Sequence, residues 1–201
     1  ISAAGGHGAS PHYRVDAASN AELKMGQLYL VDSGGQYEDG TTDITRVLPI
    51  GEPTAEMRDR FTRVLKGHIA IDVAQWPEGI TGGQLDSFAR SPLWESASIG
   101  DGTGHGVGIN VHEAPPRIST RGAPVLETGQ IFSIEPGLYP PEFGGVRIEN
   151  LCTLRPLAGV DDFLEVVPLT FAALDERLID RDLLTRREQA WLERYQRGPE
   201  A

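Results

Sequence analysis

The sequence predicts a single α+β domain. Three observations carry this expectation: short apolar runs that end in turn residues or carboxylates, longer stretches with apolar residues at helical spacing, and 201 residues without an internal repeat or low-complexity linker. That length supports one substantial core, and a hydrophobic content of 39% suits a folded, soluble chain. No window approaches eighteen consecutive apolar residues, and the first twenty lack the apolar centre of a signal peptide, so no membrane partner is expected. A net charge of −11 without a basic stripe argues against nucleic acid. The acidity serves surface solvation or cations, and its sign alone does not choose. Cys152 is the one cysteine, which rules out an internal disulfide and makes a reducing cytoplasm the simplest expectation. Lying in an apolar run, it reads as a small core residue.

Taken in order, residues 1–27 are rich in Gly, Ala and Ser and read as loop. Leu28 to Asp32 is a buried strand stopped by Ser33-Gly34-Gly35, and a second strand follows the Asp39-Gly40 turn pair through Thr41 to Val47. Thr54 opens a helix with a stripe of Met57, Phe61, Val64, Leu65, Ile69 and Val73, and His68 beside the stripe reads as a packed or hydrogen-bonded histidine. Thr81 and Gln84 form a capping box for a second helix through Leu85, Phe88 and Ala89 to Leu93-Trp94, with Trp94 expected in the core. Ile131 to Glu135 is a strand ending in a carboxylate and a Pro-Gly turn. Val146 to Leu154 is another, on which Arg147 and Glu149 share a face by the two-residue period. Phe163 to Leu169 is a further strand. Thr185 and Glu188 repeat the capping box before a last helix with Leu184, Trp191, Leu192 and Tyr195 on one side.

Residues 100–112 place His105 and His112 behind glycines at 102, 104, 106 and 108, which suits a loop wrapped tightly around a site and equally a flexible turn with incidental histidines. Asp32 suits either a turn or a ligand position. Asp43 between Thr42 and Ile44 needs a cation or an exposed edge, because aspartate is depleted in strands. A salt bridge to a facing strand would account for Arg147 and Glu149. Gathered together, Asp32, Asp43, His105, Glu135 and Glu149 are four carboxylates and an imidazole on apolar elements. Converging without metal they would repel one another, and two divalent cations would cancel four negative charges. The oxygen-rich set favours Mn2+, with Co2+ or Zn2+ as alternatives.

These residues, with the phrases Leu30 to Gly34, Asp39 to Arg46, Lys66 to Ala70, Leu85 to Arg90, Gly102 to Gly108 and Asn110 to Glu113, resemble the pita-bread metallopeptidases. Within that group they look like aminopeptidase P of the long, multidomain type. The resemblance implies the pita-bread (creatinase/aminopeptidase) fold, an antiparallel sheet covered by helices, with residues 1–201 forming a partial C-terminal catalytic domain that lacks upstream domains and its own opening helices. It further implies a homodimer in the full-length protein.

By the same resemblance, Asp32 chelates the first metal, Asp43 and Glu149 bridge both, and His105 and Glu135 bind the second. His112 would steady the tetrahedral intermediate or shuttle a proton, and His12 is a further active-site histidine. Arg147 and Tyr139 support the metals or substrate. The activity implied is removal of the first residue from peptides with proline at position two, by a metal-bridging hydroxide, with Glu135 as proton acceptor. Asp101 departs from the pattern: the long aminopeptidases usually carry a histidine there, lining the substrate pocket. That substitution suggests weakened or altered activity. The alternatives are a prolidase acting on Xaa-Pro dipeptides, or a binding or scaffold protein that keeps the fold without turnover.

Overall fold

The computed structural model describes residues 1–96, 100 and 102–199. Its strands are β1 (Ser2–Ala4), β2 (Gln27–Ser33), β3 (Ile44–Ile50), β4 (Gln75–Pro77), β5 (Gly104–His105), β6 (Arg117–Ile118), β7 (Ile131–Ile134), β8 (Gly137–Leu138), β9 (Val146–Arg147), β10 (Asn150–Pro156) and β11 (Phe163–Pro168). The α-helices are α1 (Ala55–Asp72), α2 (Gly82–Trp94) and α3 (Arg186–Arg197). One antiparallel sheet runs β1-β2-β3 and a second runs β4-β11-β10-β7, with two short ribbons, β5-β6 and β8-β9.

The loop expected over residues 1–27 holds β1 and a short 3-10 turn at Gly5–Ala9. Three residues carry too little pattern to be read as strand, and β1 exists because it pairs with the edge of β2. The β2–β3 connection is longer than a tight hairpin. Asp39-Gly40 does sit at its tip, where Tyr37 N–H bonds Gly40 C=O at 2.8 Å, but β3 begins only at Ile44, so Asp43 lies just before the strand. In register Asp32 faces Thr45, which puts Asp43 on the diagonal of the same face. The strand expected over 146–154 is broken at Ile148 and Glu149 into β9 and β10.

α1 lies between two cores. Met57, Phe61, Val64, Leu65 and Ile69 pack with Leu28, Leu30, Val47 and the α3 residues Trp191, Leu192 and Tyr195, whereas Ile71 joins Leu85, Ala89, Phe132, Ile134 and Cys152 in the other. Thr54 caps α1 through a bond from Met57 N–H, and both capping boxes form at Thr81 and Thr185. Two apolar expectations fail. Val73 is 52% exposed because the helix ends at Asp72, and Trp94 is 53% exposed. Trp94 is nine residues beyond the buried Leu85, and about 100° per residue sets it on the opposite face of α2. Cys152 is fully buried, as expected.

Lys66 Nζ ties α1 to α3 through Glu188 at 3.0 Å and Leu183 C=O at 2.9 Å. The first and second sheets meet at the isolated bridge Thr45–Glu149, and β5 reaches the second sheet through Gly106–Phe132. Around these two junctions the polar residues collect. None of the described helices is long and apolar enough to cross a membrane.

Candidate metal centre

Each of the five polar residues expected to converge comes from an element end. Asp32 is the penultimate residue of β2, Asp43 precedes β3, His105 closes β5, Glu135 follows β7 and Glu149 precedes β10. Ends of strands from two sheets and a ribbon therefore face one cavity of about 560 Å³, whose lining includes all five with His12, His112, Tyr139 and Arg147. His105 approaches through glycine. At Gly104 a Cβ would collide with Ser133 C=O, and at Gly106 with Glu113 C=O, so these two glycines serve close backbone approach. The left-handed torsions of a flexible turn are not used at 102, 104, 106 or 108, and Gly102 has open space where its Cβ would be.

Donor atoms of Asp43, His105 and Glu149 lie within 4.8 Å of one another. His105 Nε2 stands 3.2 Å from Glu135 Oε1 and 3.6 Å from Asp43 Oδ2. The other ring nitrogen, Nδ1, donates to Gly106 C=O at 3.0 Å, which directs Nε2 toward the carboxylates. Burial pushes the Glu135 carboxyl up to about 7, with Asp43 and Asp32 adding to it against the pull of Arg147. Glu149 and Asp43 are also raised, first by burial and then by neighbouring carboxylates. An imidazole nitrogen amid desolvated, mutually repelling carboxylates is the donor set a divalent cation satisfies. The residues therefore fit a metal. Asp32 is held differently: its Oδ2 accepts from Arg147 Nη2 at 2.7 Å, and it acts on the other carboxylates through its charge.

Arg147 and Glu149 both line the cavity although the strand is broken between them, and the salt bridge to a facing strand is the pair Arg147–Asp32. Arg147 also donates to Tyr139 Oη at 2.8 Å and to Thr45 Oγ1 at 2.9 Å. His112 lies edge-on to His105 with ring centroids 4.2 Å apart, and its pKa is lowered, by burial first and then by the His105 charge. His12 is an exposed residue of the same cavity wall. Asp101 lies outside the described residues.

Two residues were not singled out from the sequence. Thr45, fully buried, donates to Glu149 Oε2 at 2.6 Å while accepting from Arg147. Ser133, also fully buried, accepts from His105 N–H at 3.0 Å and donates to Glu135 Oε1 at 3.2 Å. Each stands two residues from an acid on an extended segment, Thr45 from Asp43 and Ser133 from Glu135. The alternation of strand faces was the signal available. His68 is buried and structural: Nδ1 donates to Ile134 C=O at 3.1 Å and Nε2 accepts from Asn150 Nδ2 at 3.2 Å. It thereby braces the residues beside Glu135 and Glu149.

Comparison with known proteins gives this arrangement a lineage. Metallopeptidase family M24 matches residues 1–156. Aminopeptidase P2 of Arabidopsis thaliana is 44% identical over 97% of this chain, which covers 29% of that protein. A probable Xaa-Pro aminopeptidase P of Laccaria bicolor is 43% identical over 97% of this chain, covering 32% of its own length. The chain thus spans about a third of the curated relatives it matches. Among solved structures, X-prolyl aminopeptidase from Caenorhabditis elegans, described as a cytosolic enzyme with a di-nuclear active site, superposes with a TM-score of 0.91 at 39% identity, over 97% of this chain and 33% of that one. Prolidase from Pyrococcus furiosus gives a TM-score of 0.68 at 37% identity, over 76% and 45%. The chain belongs to metallopeptidase family M24 and carries its pita-bread fold.

Proposed function

We propose that this chain is the catalytic portion of a cytoplasmic Xaa-Pro aminopeptidase, which removes the N-terminal residue from peptides whose second residue is proline. The observation that carries the reading is the convergence of four carboxylates and His105 on one cavity, with ligand atoms of Asp43, His105 and Glu149 within 4.8 Å. The similarity to relatives bearing that activity supports the substrate class.

In this reading Asp32, Asp43, His105, Glu135 and Glu149 hold two divalent ions, with Mn2+ the choice favoured by hard oxygen donors. When bound, such ions supply Lewis acidity for the scissile carbonyl and for the water that attacks it. The chain's own groups do the rest. Glu135, oriented by the Ser133 hydroxyl, takes the proton of the attacking water. Arg147 fixes the Asp32 carboxylate and the Tyr139 hydroxyl in one hydrogen-bonded array. His112, on the same cavity wall as His12, faces the position of the peptide carbonyl and donates to its oxygen as charge develops there. Asp101 bears on substrate preference, and a homodimer is the proposed assembly of the full-length protein.

The test is a series of Xaa-Pro substrates of increasing length, assayed with added Mn2+ and with chelator. Aminopeptidase activity predicts Mn2+-dependent release of the first residue from tripeptides and longer. Activity confined to dipeptides would make it a prolidase, and no release under any condition would leave a binding or scaffold role.

A further inference from the structure

Arg46, on β3 beside Thr45, is half-buried, and none of its side-chain hydrogen bonds to the described residues goes to a carboxylate. Its Nη1 donates to Thr45 C=O and to Glu149 C=O, both at 2.8 Å. Its Nη2 donates to Asn150 Oδ1 at 2.8 Å, Ala172 C=O at 2.7 Å and Tyr195 Oη at 2.7 Å, and its Nε to Ala173 C=O at 3.3 Å. One guanidinium thus joins β3, the start of β10, the segment after β11 and helix α3. Thr45–Glu149 is the single β-bridge between the two main sheets among the described residues, and Arg46 spans it. The same Thr45 whose backbone Arg46 holds fixes the Glu149 carboxylate through its hydroxyl at 2.6 Å.

We infer that Arg46, anchored by Tyr195 of α3, is a positioning residue for Glu149, so that the C-terminal helix sets the geometry of the metal centre from behind. The inference rests on the metal-site reading above. A planar fork with five N–H groups satisfies oxygens from four segments at once, and a lysine ammonium with three donors on one atom does not. Tyr195 Oη accepts from Arg46 and donates to Ala172 C=O at 2.9 Å, so one hydroxyl orders both the guanidinium and the segment it binds.

Calorimetric titration of the full chain with Mn2+ alone tests this in Arg46→Lys and Tyr195→Phe, beside Trp191→Phe as a control on the same helix. Trp191 stacks on Tyr195 at 4.8 Å and donates to Asp72 at 2.6 Å, but does not touch Arg46. All three substitutions are expected to lower Tm. Only Arg46→Lys and Tyr195→Phe are expected to weaken Mn2+ binding, by about 10- to 100-fold for the first and several-fold for the second. Wild-type affinity in both, or an equal loss in Trp191→Phe, overturns the inference. If Arg46→Lys does not fold, Tyr195→Phe decides alone. Absence of Mn2+ uptake by the wild-type chain is a different result, which removes the metal-site reading and the inference with it.

Discussion

Neutral His68 makes the stability of this protein depend on pH in a way that can be isolated by one substitution. The imidazole is fully buried, and burial, with the Arg46 charge next, lowers its pKa to about 3. In the unfolded chain the same group titrates at about 6.5. Between those values the unfolded state holds one proton that the folded state does not, so stability rises with pH there. The contribution is complete above about pH 6.5 and is lost as the pH falls toward 3. The slope approaches about 1.4 kcal/mol per pH unit below pH 6.5, so the loss between pH 6.5 and 4.5 is about 2 kcal/mol. His68→Gln, which cannot titrate and keeps an oxygen able to accept from Asn150 Nδ2, removes this one-proton slope. Urea unfolding at pH 7.5, 6.5, 5.5 and 4.5 measures it, and the difference between the two proteins cancels the carboxylates common to both. Parallel stability profiles for wild type and His68→Gln would refute the argument that a neutral His68 braces Asn150 and Ile134.

Thr45→Val keeps the shape of a buried side chain but strips Glu149 of its hydroxyl donor and Arg147 of an acceptor. Charge-assisted bonds of this kind contribute about 1.5–3 kcal/mol each, so the loss of two is expected to cost about 3–6 kcal/mol in urea unfolding, and a change within about 0.5 kcal/mol would contradict it. Gly104→Ala drives a methyl group into Ser133 C=O and is expected to cost about 1–3 kcal/mol, whereas Gly102→Ala, with open space around it, is expected to be nearly neutral; thermal melts of the two compare them directly. Asp101→His is expected to raise the rate on Xaa-Pro peptides, and an unchanged rate would show that the aspartate does not limit activity.

The parts of the fold that the sequence disclosed are those whose local pattern and tertiary role agree. The apolar stripe from Met57 to Ile69, the capping residues Thr81 and Thr185, and the carboxylates following apolar runs at Asp32 and Glu135 all point the same way at both levels. Trp94 was misplaced because an aromatic residue at the end of a helix was assigned by type, and its angular position on α2 sends it outward. β1 was hidden because its three residues are ordered by their partner strand rather than by their own composition. The break at Ile148–Glu149 could not be read either, since it arises where one chain segment leaves β8 to pair with the other sheet.

At the centre, the five ligand candidates stood out and were gathered as polar residues on apolar elements, and the resemblance to known metallopeptidases supplied the role of each. Thr45 and Ser133 did not stand out, because a hydroxyl within a strand is unremarkable until its partner is known. Arg46 lay inside a recognised phrase, yet its contacts with Ala172, Ala173 and Tyr195 span more than a hundred residues and leave no local trace.

In the proposed function Asp32, Asp43, His105, Glu135 and Glu149 form one dinuclear centre. Metal analysis of the chain equilibrated with Mn2+ and separated from free ion tests it most directly, comparing wild type with Glu149→Ala. Two bound ions per wild-type chain, falling to one or none in the variant while the variant remains folded, is the predicted result. A wild-type chain that retains no ion, or a Glu149→Ala chain that retains both, would contradict it.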